Sequence, residues 1–166
     1  MSYRAIASQT LGSNQASVTF SNIPQTFRDL RLVVVANTTD LANILFLINN
    51  DGASIYSKVT MVARSFNGTP YSEANTTGSG HLNWITATTS SVRSAGAIDF
   101  FDYAVTDKHK SYLSRSNTQE GNNTYSGTEA IAGRYGSTNA ITEIQVLPGS
   151  GSFVSGATFA LYGVSA

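Results

Sequence analysis

Short runs of β-favouring residues, separated by polar turns, recur along the whole chain and exclude most fold classes. The clearest run is Asp29–Ala36, which alternates at first and then becomes continuously apolar and β-branched. Such a run is typical of a central strand that is covered on both faces. Apolar residues at helical spacing are hard to find anywhere. The pattern therefore predicts an all-β protein, with about ten short antiparallel strands in a jelly-roll-like β-sandwich.

A length of 166 residues fits one such domain, which we expect to span residues 1–166. Asn49 to Gly52 read as a tight turn. Two polar segments without periodicity, residues 66–80 and 117–126, are predicted to be loops. Between residues 56 and 65, Val59 and Met61 alternate with polar residues. Further strands are predicted at residues 3–10, 17–20, 43–49, 56–65, 81–87, 97–105, 110–116, 127–135, 140–147 and 158–164.

The charge content of the chain limits its partners. Ten basic and ten acidic residues give no net charge, and only 12% of the residues are charged. Nucleic acid is not an expected partner, because phosphate binding needs clustered Lys and Arg. We expect no membrane partner either, since no apolar run reaches the length of a membrane helix. A surface of neutral hydroxyl and amide groups repels neighbours weakly and suits a chain that assembles with copies or partners.

Residues 97–116 concentrate charge and are the first place to look for chemistry. Asp99 and Asp102 could act as general acid and base, for example on a polysaccharide. On a strand, however, residues three apart point to opposite faces of the sheet. We therefore expect a structural role for this pair.

No other arrangement of residues predicts catalysis or a bound cofactor. The chain has no cysteine, and His81 and His109 lie in different segments without the spacing of metal ligands. A nucleophile elbow and a phosphate-binding glycine loop are also missing from the sequence. We expect a protein that is not an enzyme, with no catalytic residues, no metal and no cofactor.

The same segment predicts a hairpin whose tip could contact another protein. Residues 98–105 and 110–115 are expected to pair as strands. The tip is expected to be exposed, and its possible protein-contact residues are Asp107, Lys108, His109 and Lys110.

Aromatic residues offer a second kind of contact. Trp84, Tyr71 and Tyr125 could line a carbohydrate groove, because sugar recognition often uses flat rings beside amides. The same rings suit the core of a sandwich or a subunit interface, where Tyr and Trp are enriched. The sequence leaves these alternatives open.

Three parts of the chain have a distinctive order of strand and turn residues. They are the opening, the middle hairpin and the end: residues 6–12 and 16–30, then 98–99, 102–104 and 106–110, then 137–144 and 159–164. Together they resemble a family of small tailed-bacteriophage virion structural proteins. The similarity spans nearly the whole chain, except for the segment 66–80.

The resemblance implies a structural component of the virion that is assembled in the host cytoplasm and has no catalytic residues. The leading hypothesis is a capsid decoration (cement) protein that bridges capsid subunits. Its partners would be the major capsid protein or other virion proteins. It would also form a homo-oligomer, for which capsid symmetry suggests a trimer. The alternative is a tail-associated or receptor-binding module that recognises host surface glycans through Trp84, Tyr71 and Tyr125.

Overall fold

The computed structural model describes residues 2–64, 71–85, 93–118 and 127–165, and these residues form twelve β-strands and no helix. The strands are β1 Ser2–Thr10, β2 Val18–Phe20, β3 Asp29–Ala36, β4 Ala42–Ile48, β5 Tyr56–Arg64, β6 Tyr71–Thr77, β7 Gly80–Ile85, β8 Ser94–Phe101, β9 Lys110–Thr118, β10 Gly127–Tyr135, β11 Ile144–Pro148 and β12 Thr158–Ser165. The predicted all-β class is confirmed.

The strands form two antiparallel sheets that enclose the core. The large sheet has eight strands in the order β1-β12-β3-β8-β9-β10-β5-β6, and the small sheet has four in the order β2-β11-β4-β7. This arrangement agrees with the predicted β-sandwich. The jelly-roll topology is not confirmed, because a jelly roll divides eight strands between two sheets.

The central strand β3 lies between β12 and β8, as its sequence predicts. Its inward side chains Leu30, Leu32 and Val34 are fully buried. Its outward side chains Val33 and Val35 are only half-buried. The expectation that both faces are covered is therefore wrong, because the small sheet covers only one face of the large sheet.

The two sheets meet at an aromatic cluster centred on Phe46 of β4. The ring of Phe46 makes edge contacts with Phe100 of β8 at 5.2 Å, with Tyr112 of β9 at 5.0 Å and with Tyr56 of β5 at 6.2 Å, measured between ring centroids. All four residues are buried. Edge-to-face rings of this kind attract each other by about 1 kcal/mol beyond the area that they bury.

Two glycines make room for these rings. A Cβ atom on Gly80 of β7 would lie 2.0 Å from the Phe46 ring, and one on Gly133 of β10 would lie 2.0 Å from the Tyr112 ring. Each ring therefore packs directly on the backbone of a strand. This close approach requires glycine at both positions.

The predicted loop at residues 66–80 is wrong in part, because Tyr71–Thr77 forms β6 at one edge of the large sheet. Its backbone pairs with β5, from Val62 opposite Tyr71 to Tyr56 opposite Thr77. The sequence of this edge strand is mostly polar. It therefore lacks the alternation of apolar and polar residues from which a strand is predicted. The other predicted loop, residues 117–126, begins later than predicted, since β9 continues to Thr118. Residues 65–70 and 119–126 lie outside the described part of the chain.

The strand predicted at residues 140–147 begins only at Ile144. The backbone groups just before it form hydrogen bonds with the Asn49 side chain and not with a neighbouring strand. The Asn49 side chain donates to the carbonyl oxygen of Ala140 at 2.8 Å and accepts from the backbone N–H groups of Thr142 at 2.9 Å and Glu143 at 3.1 Å. Asn49 also has a left-handed backbone, with φ of 53°. The predicted turn is confirmed one residue earlier than Asn49 to Gly52, because the backbone N–H of Asp51 donates to the carbonyl of Ile48 at 3.0 Å. The Asn49 side chain links this turn to the segment that precedes β11.

Replacing Gly80 with alanine should destabilise the fold, because the new methyl group would overlap the Phe46 ring. We expect Gly80→Ala to lower the free energy of unfolding by about 1–3 kcal/mol, as overpacking usually does. Gly12→Ala is the matched control, since a Cβ atom there meets nothing within 4 Å. Urea unfolding of both variants tests this, and equal midpoints would contradict the packing described.

The Asn49 contacts predict a difference between two neighbouring asparagines. Asn50 also has a positive φ, of 56°, and is exposed to solvent. Alanine at position 50 should therefore cost only about 1 kcal/mol of backbone strain. Asn49→Ala should cost about 1–3 kcal/mol more, because it also removes three hydrogen bonds to backbone groups, two of which are partly buried. Thermal or urea unfolding measures the difference, and equal losses would show that the Asn49 side chain stabilises nothing.

Candidate functional site

The two carboxylates of the central segment lie apart, each beside its own cation. Asp99 is in β8 on the outer face of the large sheet, where Arg31 of β3 donates two hydrogen bonds to its oxygens, at 2.6 and 2.7 Å. Asp102 lies beyond the end of β8, in a turn with φ of 49°. The Lys108 ammonium donates to Asp102 at 2.8 Å and lowers the pKa of that carboxyl. The Asp29 carboxylate also lies at this turn, where it accepts from the backbone N–H of Asp102 at 2.8 Å.

The predicted hairpin is confirmed, with different limits. Strands β8 and β9 pair from Gly96 opposite Ser116 to Phe101 opposite Ser111. The first strand ends at Phe101 instead of at residue 105, because the left-handed Asp102 begins the turn.

The tip of the hairpin differs from the prediction at one position. Asp107, Lys108 and His109 are exposed, as expected, but Lys110 is buried. The Lys110 ammonium donates to the carbonyl oxygens of Lys108 at 2.8 Å and Thr138 at 3.0 Å, and burial lowers its pKa. The expectation that Lys110 stands at an exposed tip is wrong, since these two carbonyl groups hold its ammonium inside.

The two histidines lie in different surroundings. His109 is exposed, and its Nδ1 atom lies 3.1 Å from the guanidinium of Arg134. His81 of β7 is partly buried, and desolvation together with the charge of Lys58 lowers its pKa to about 4. Within residues 2–64, 71–85, 93–118 and 127–165, no cluster of three or more His, Asp or Glu side chains could hold a metal ion.

For the aromatic residues considered for glycan contact, the structure describes at most the backbone. Tyr71 begins β6, and Trp84 lies near the end of β7. Tyr125 lies outside the described residues. The glycan hypothesis therefore stays a prediction from the sequence.

One corner of the large sheet has polar side chains inside and apolar side chains outside, and it is not among the sites predicted above. On β5, β9 and β10 about half of the inward, buried side chains are polar or charged. We call five of them the polar corner: Lys58, Thr60, Ser114, Ser116 and Glu129. Strand β7 packs across this corner, and the Ser114 hydroxyl donates to the backbone carbonyl of Leu82 at 2.7 Å. The side chains between them point outward and are largely apolar.

These outward side chains line a shallow groove on the face that the small sheet does not cover. Met61 is 63% exposed, Val59 50% and Leu113 48%. We call this surface the outer groove and define it by Val59, Met61, Leu113, Arg115, Ala130 and Ala132. It consists of two adjoining hollows of about 580 and 420 Å³ that share Met61, Arg115 and Ala130.

Strand register explains the shape of the outer groove. Ala130 of β10 lies between Arg115 of β9 and Met61 of β5. Two residues further along β10, Ala132 lies in the same way between Leu113 and Val59. Two rows of long side chains thus flank a floor of methyl groups.

Charges of both signs lie at one side of the outer groove. Asp99 lines the smaller hollow together with Arg115. Arg31, which binds Asp99, also stacks on the ring of Tyr3 with its guanidinium carbon 5.1 Å from the ring centroid. The hydrogen bonds to Asp99 raise the pKa of Arg31. Arg115 is exposed, and within the described part of the chain it forms no ion pair.

The sequence contained a signal for this surface. The alternation of Val59 and Met61 with Lys58 and Thr60 is plain, and a simple reading would place the apolar residues inside. The structure places Lys58 and Thr60 inside instead. The face that a strand turns inward depends on the second sheet, which the sequence of one strand does not specify.

A scan against family models, a search of curated proteins and a search of solved structures each found no match for this chain. The resemblance to tailed-phage virion proteins therefore stays a prediction from the sequence. The described residues contain no helix that is long and apolar enough to cross a membrane.

The lowered pKa of His81 predicts a pH dependence of stability. An unfolded histidine titrates near 6.5, whereas His81 in the fold titrates near 4, so the unfolded state binds more protons between these values. The stabilisation is complete above pH 6.5 and is lost as the pH falls through 4. We expect a loss of roughly 2 kcal/mol, which is below the full linkage value because the ring is partly exposed.

Urea unfolding at a series of pH values measures this loss. His81→Gln should flatten the dependence, whereas His109→Gln, which changes the exposed histidine, should leave it unchanged. A similar slope in both variants would show that acidic residues alone cause the effect.

Proposed function

We propose that this protein is a non-enzymatic structural component of a tailed-phage virion, and specifically a decoration (cement) protein that stabilises the head by bridging capsid subunits. The phage context comes from the resemblance of the opening, the middle hairpin and the end of the chain. The observation that carries a structural role is the outer groove, which exposes apolar side chains directly above the polar corner.

Physical chemistry explains why such a surface supports assembly. Buried polar residues and exposed apolar residues are each informative departures from the usual distribution. Met61, Val59 and Leu113 lose hydrophobic stabilisation of roughly 25 cal/mol for each Å² that stays in contact with water. A neighbouring protein that covers them recovers this energy. A cement protein works in this way, by adding contact area between subunits and by mass action.

The hairpin tip supplies a second, polar contact. Asp107, Lys108 and His109 are exposed together at the end of β8 and β9. The Lys108 ammonium pairs with Asp102 at 2.8 Å, and its side chain stays 54% exposed and so accessible to a partner. We assign this tip to contacts with the major capsid protein or another virion protein. Nucleic acid and membrane have no part in the proposal.

The location and copy number of the protein in purified particles test the proposal. Cryo-EM with quantitative mass spectrometry should find density for a two-sheet fold on the shell, in a number of copies comparable to that of the capsid protein. A few copies at the tail would instead favour the receptor-binding alternative. Specific glycan binding that is lost in Trp84→Ala would support that alternative directly. Particles without this chain would overturn both.

A further inference from the structure

We infer that the occupant of the outer groove is a second copy of this chain, packed face to face about a two-fold axis, with Arg115 of each copy against Asp99 of the other. The inference concerns the same surface as the proposed function and rests on that assignment of an assembly role. It does not depend on a location in a virion.

The shape of the outer groove is self-complementary. A row of alanine methyl groups on β10 lies beside rows of longer side chains on β5 and β9. An identical face can therefore bring Leu113, which is opposite Asp99, toward the alanine floor of its partner. Two-fold pairing uses the same surface patch on both copies, so one groove and one row of long side chains are sufficient.

The charges at the groove are complementary under the same symmetry. Asp99 and Arg115 lie on adjacent strands, and because Asp99 is opposite Leu113, the two side chains are diagonal neighbours. A two-fold axis between them places each guanidinium against the carboxylate of the other copy and so forms two identical pairs. Asp99 is held in place by Arg31, and its side chain is 19% exposed, so it can accept a further hydrogen bond.

The overall charge does not oppose the association. With ten basic and ten acidic residues, two copies experience no net long-range repulsion. A foreign partner would need to supply both an apolar ridge and an acidic group at the matching spacing. The chain itself provides both features on one face. The geometry thus favours a dimer, in contrast to the trimer that capsid symmetry suggests.

The mass of the purified protein tests this first. Sedimentation equilibrium should give twice the chain mass of 17.6 kDa. Met61→Glu places a charge in the groove and should weaken the dimer at least tenfold. Leu41→Glu is the control and should leave the dimer intact, because Leu41 is an apolar residue that is also exposed, at 48%, and does not line the groove. A monomer or a trimer for the wild-type protein would overturn the inference, as would equal weakening by both variants.

A charge exchange tests the orientation of the two copies. Arg115→Glu should weaken the dimer, since each new carboxylate faces Asp99 of its partner, and Asp99→Lys should weaken it by opposing two cations. Mixing the two variants should restore association, because a mixed dimer contains one native pair and one reversed pair. Urea unfolding confirms first that each variant is folded. If Asp99→Lys does not fold, the test compares Arg115→Glu, which should weaken the dimer, with Arg115→Lys, which should retain it. Failure of the folded variants to associate when mixed, or a stable Arg115→Glu dimer, would overturn the arrangement.

A failure of the inference would differ from a failure of the proposed function. A monomeric protein found on phage heads would leave the decoration role in place and remove the dimer. A dimer that is missing from every particle would do the reverse.

Discussion

The contact of Phe46 with three aromatic rings is the interaction on which the rest of the fold depends. Phe46 is the main link between the small sheet and the middle of the large sheet, where it meets rings from β5, β8 and β9. The ring of Tyr56 is fixed in turn, since its hydroxyl accepts from the backbone of Ile48 at 2.9 Å and donates to the carbonyl of Asp51 at 3.0 Å. This contact ties β5 to the end of β4. The position of the small sheet, and hence the face of each large-sheet strand that becomes buried, follows from this cluster.

The orientation of β5 has a consequence at the surface. Because Tyr56 points inward, the side-chain period of two also turns Lys58 and Thr60 inward. Val59 and Met61 must then point outward. The polar corner is sheltered by β7, whose Gly80 allows it to approach Phe46 closely. One aromatic contact in the core thus determines both the polar corner and the outer groove, and the proposed assembly surface is a product of the packing.

Much of the fold could be predicted from local patterns, and the remainder depends on contacts distant in sequence. The strands β3, β4 and β12 follow from apolar and β-branched runs, and the hairpin of β8 and β9 from two such runs around a charged turn. Strand β6 was not predicted because its polar residues carry no alternation and its existence rests on pairing with β5. The sequence predicts Lys110 at the surface because a lysine in a turn is usually solvated, whereas in the fold the carbonyl of Thr138, distant in the chain, accepts a hydrogen bond from its ammonium. The outer groove was not predicted, since its shape comes from the register of three strands.

The accessibility of the groove floor tests the central claim, that this face is covered in the assembled protein. The chain has no cysteine, so a single thiol can be introduced as Ala132→Cys with little change in volume. The rate at which this thiol reacts with a small reagent should fall as the protein concentration rises. A thiol in the exposed turn, introduced as Ser54→Cys, should react at one rate throughout. A reaction rate at position 132 that is independent of protein concentration and equal to that at position 54 would contradict the account.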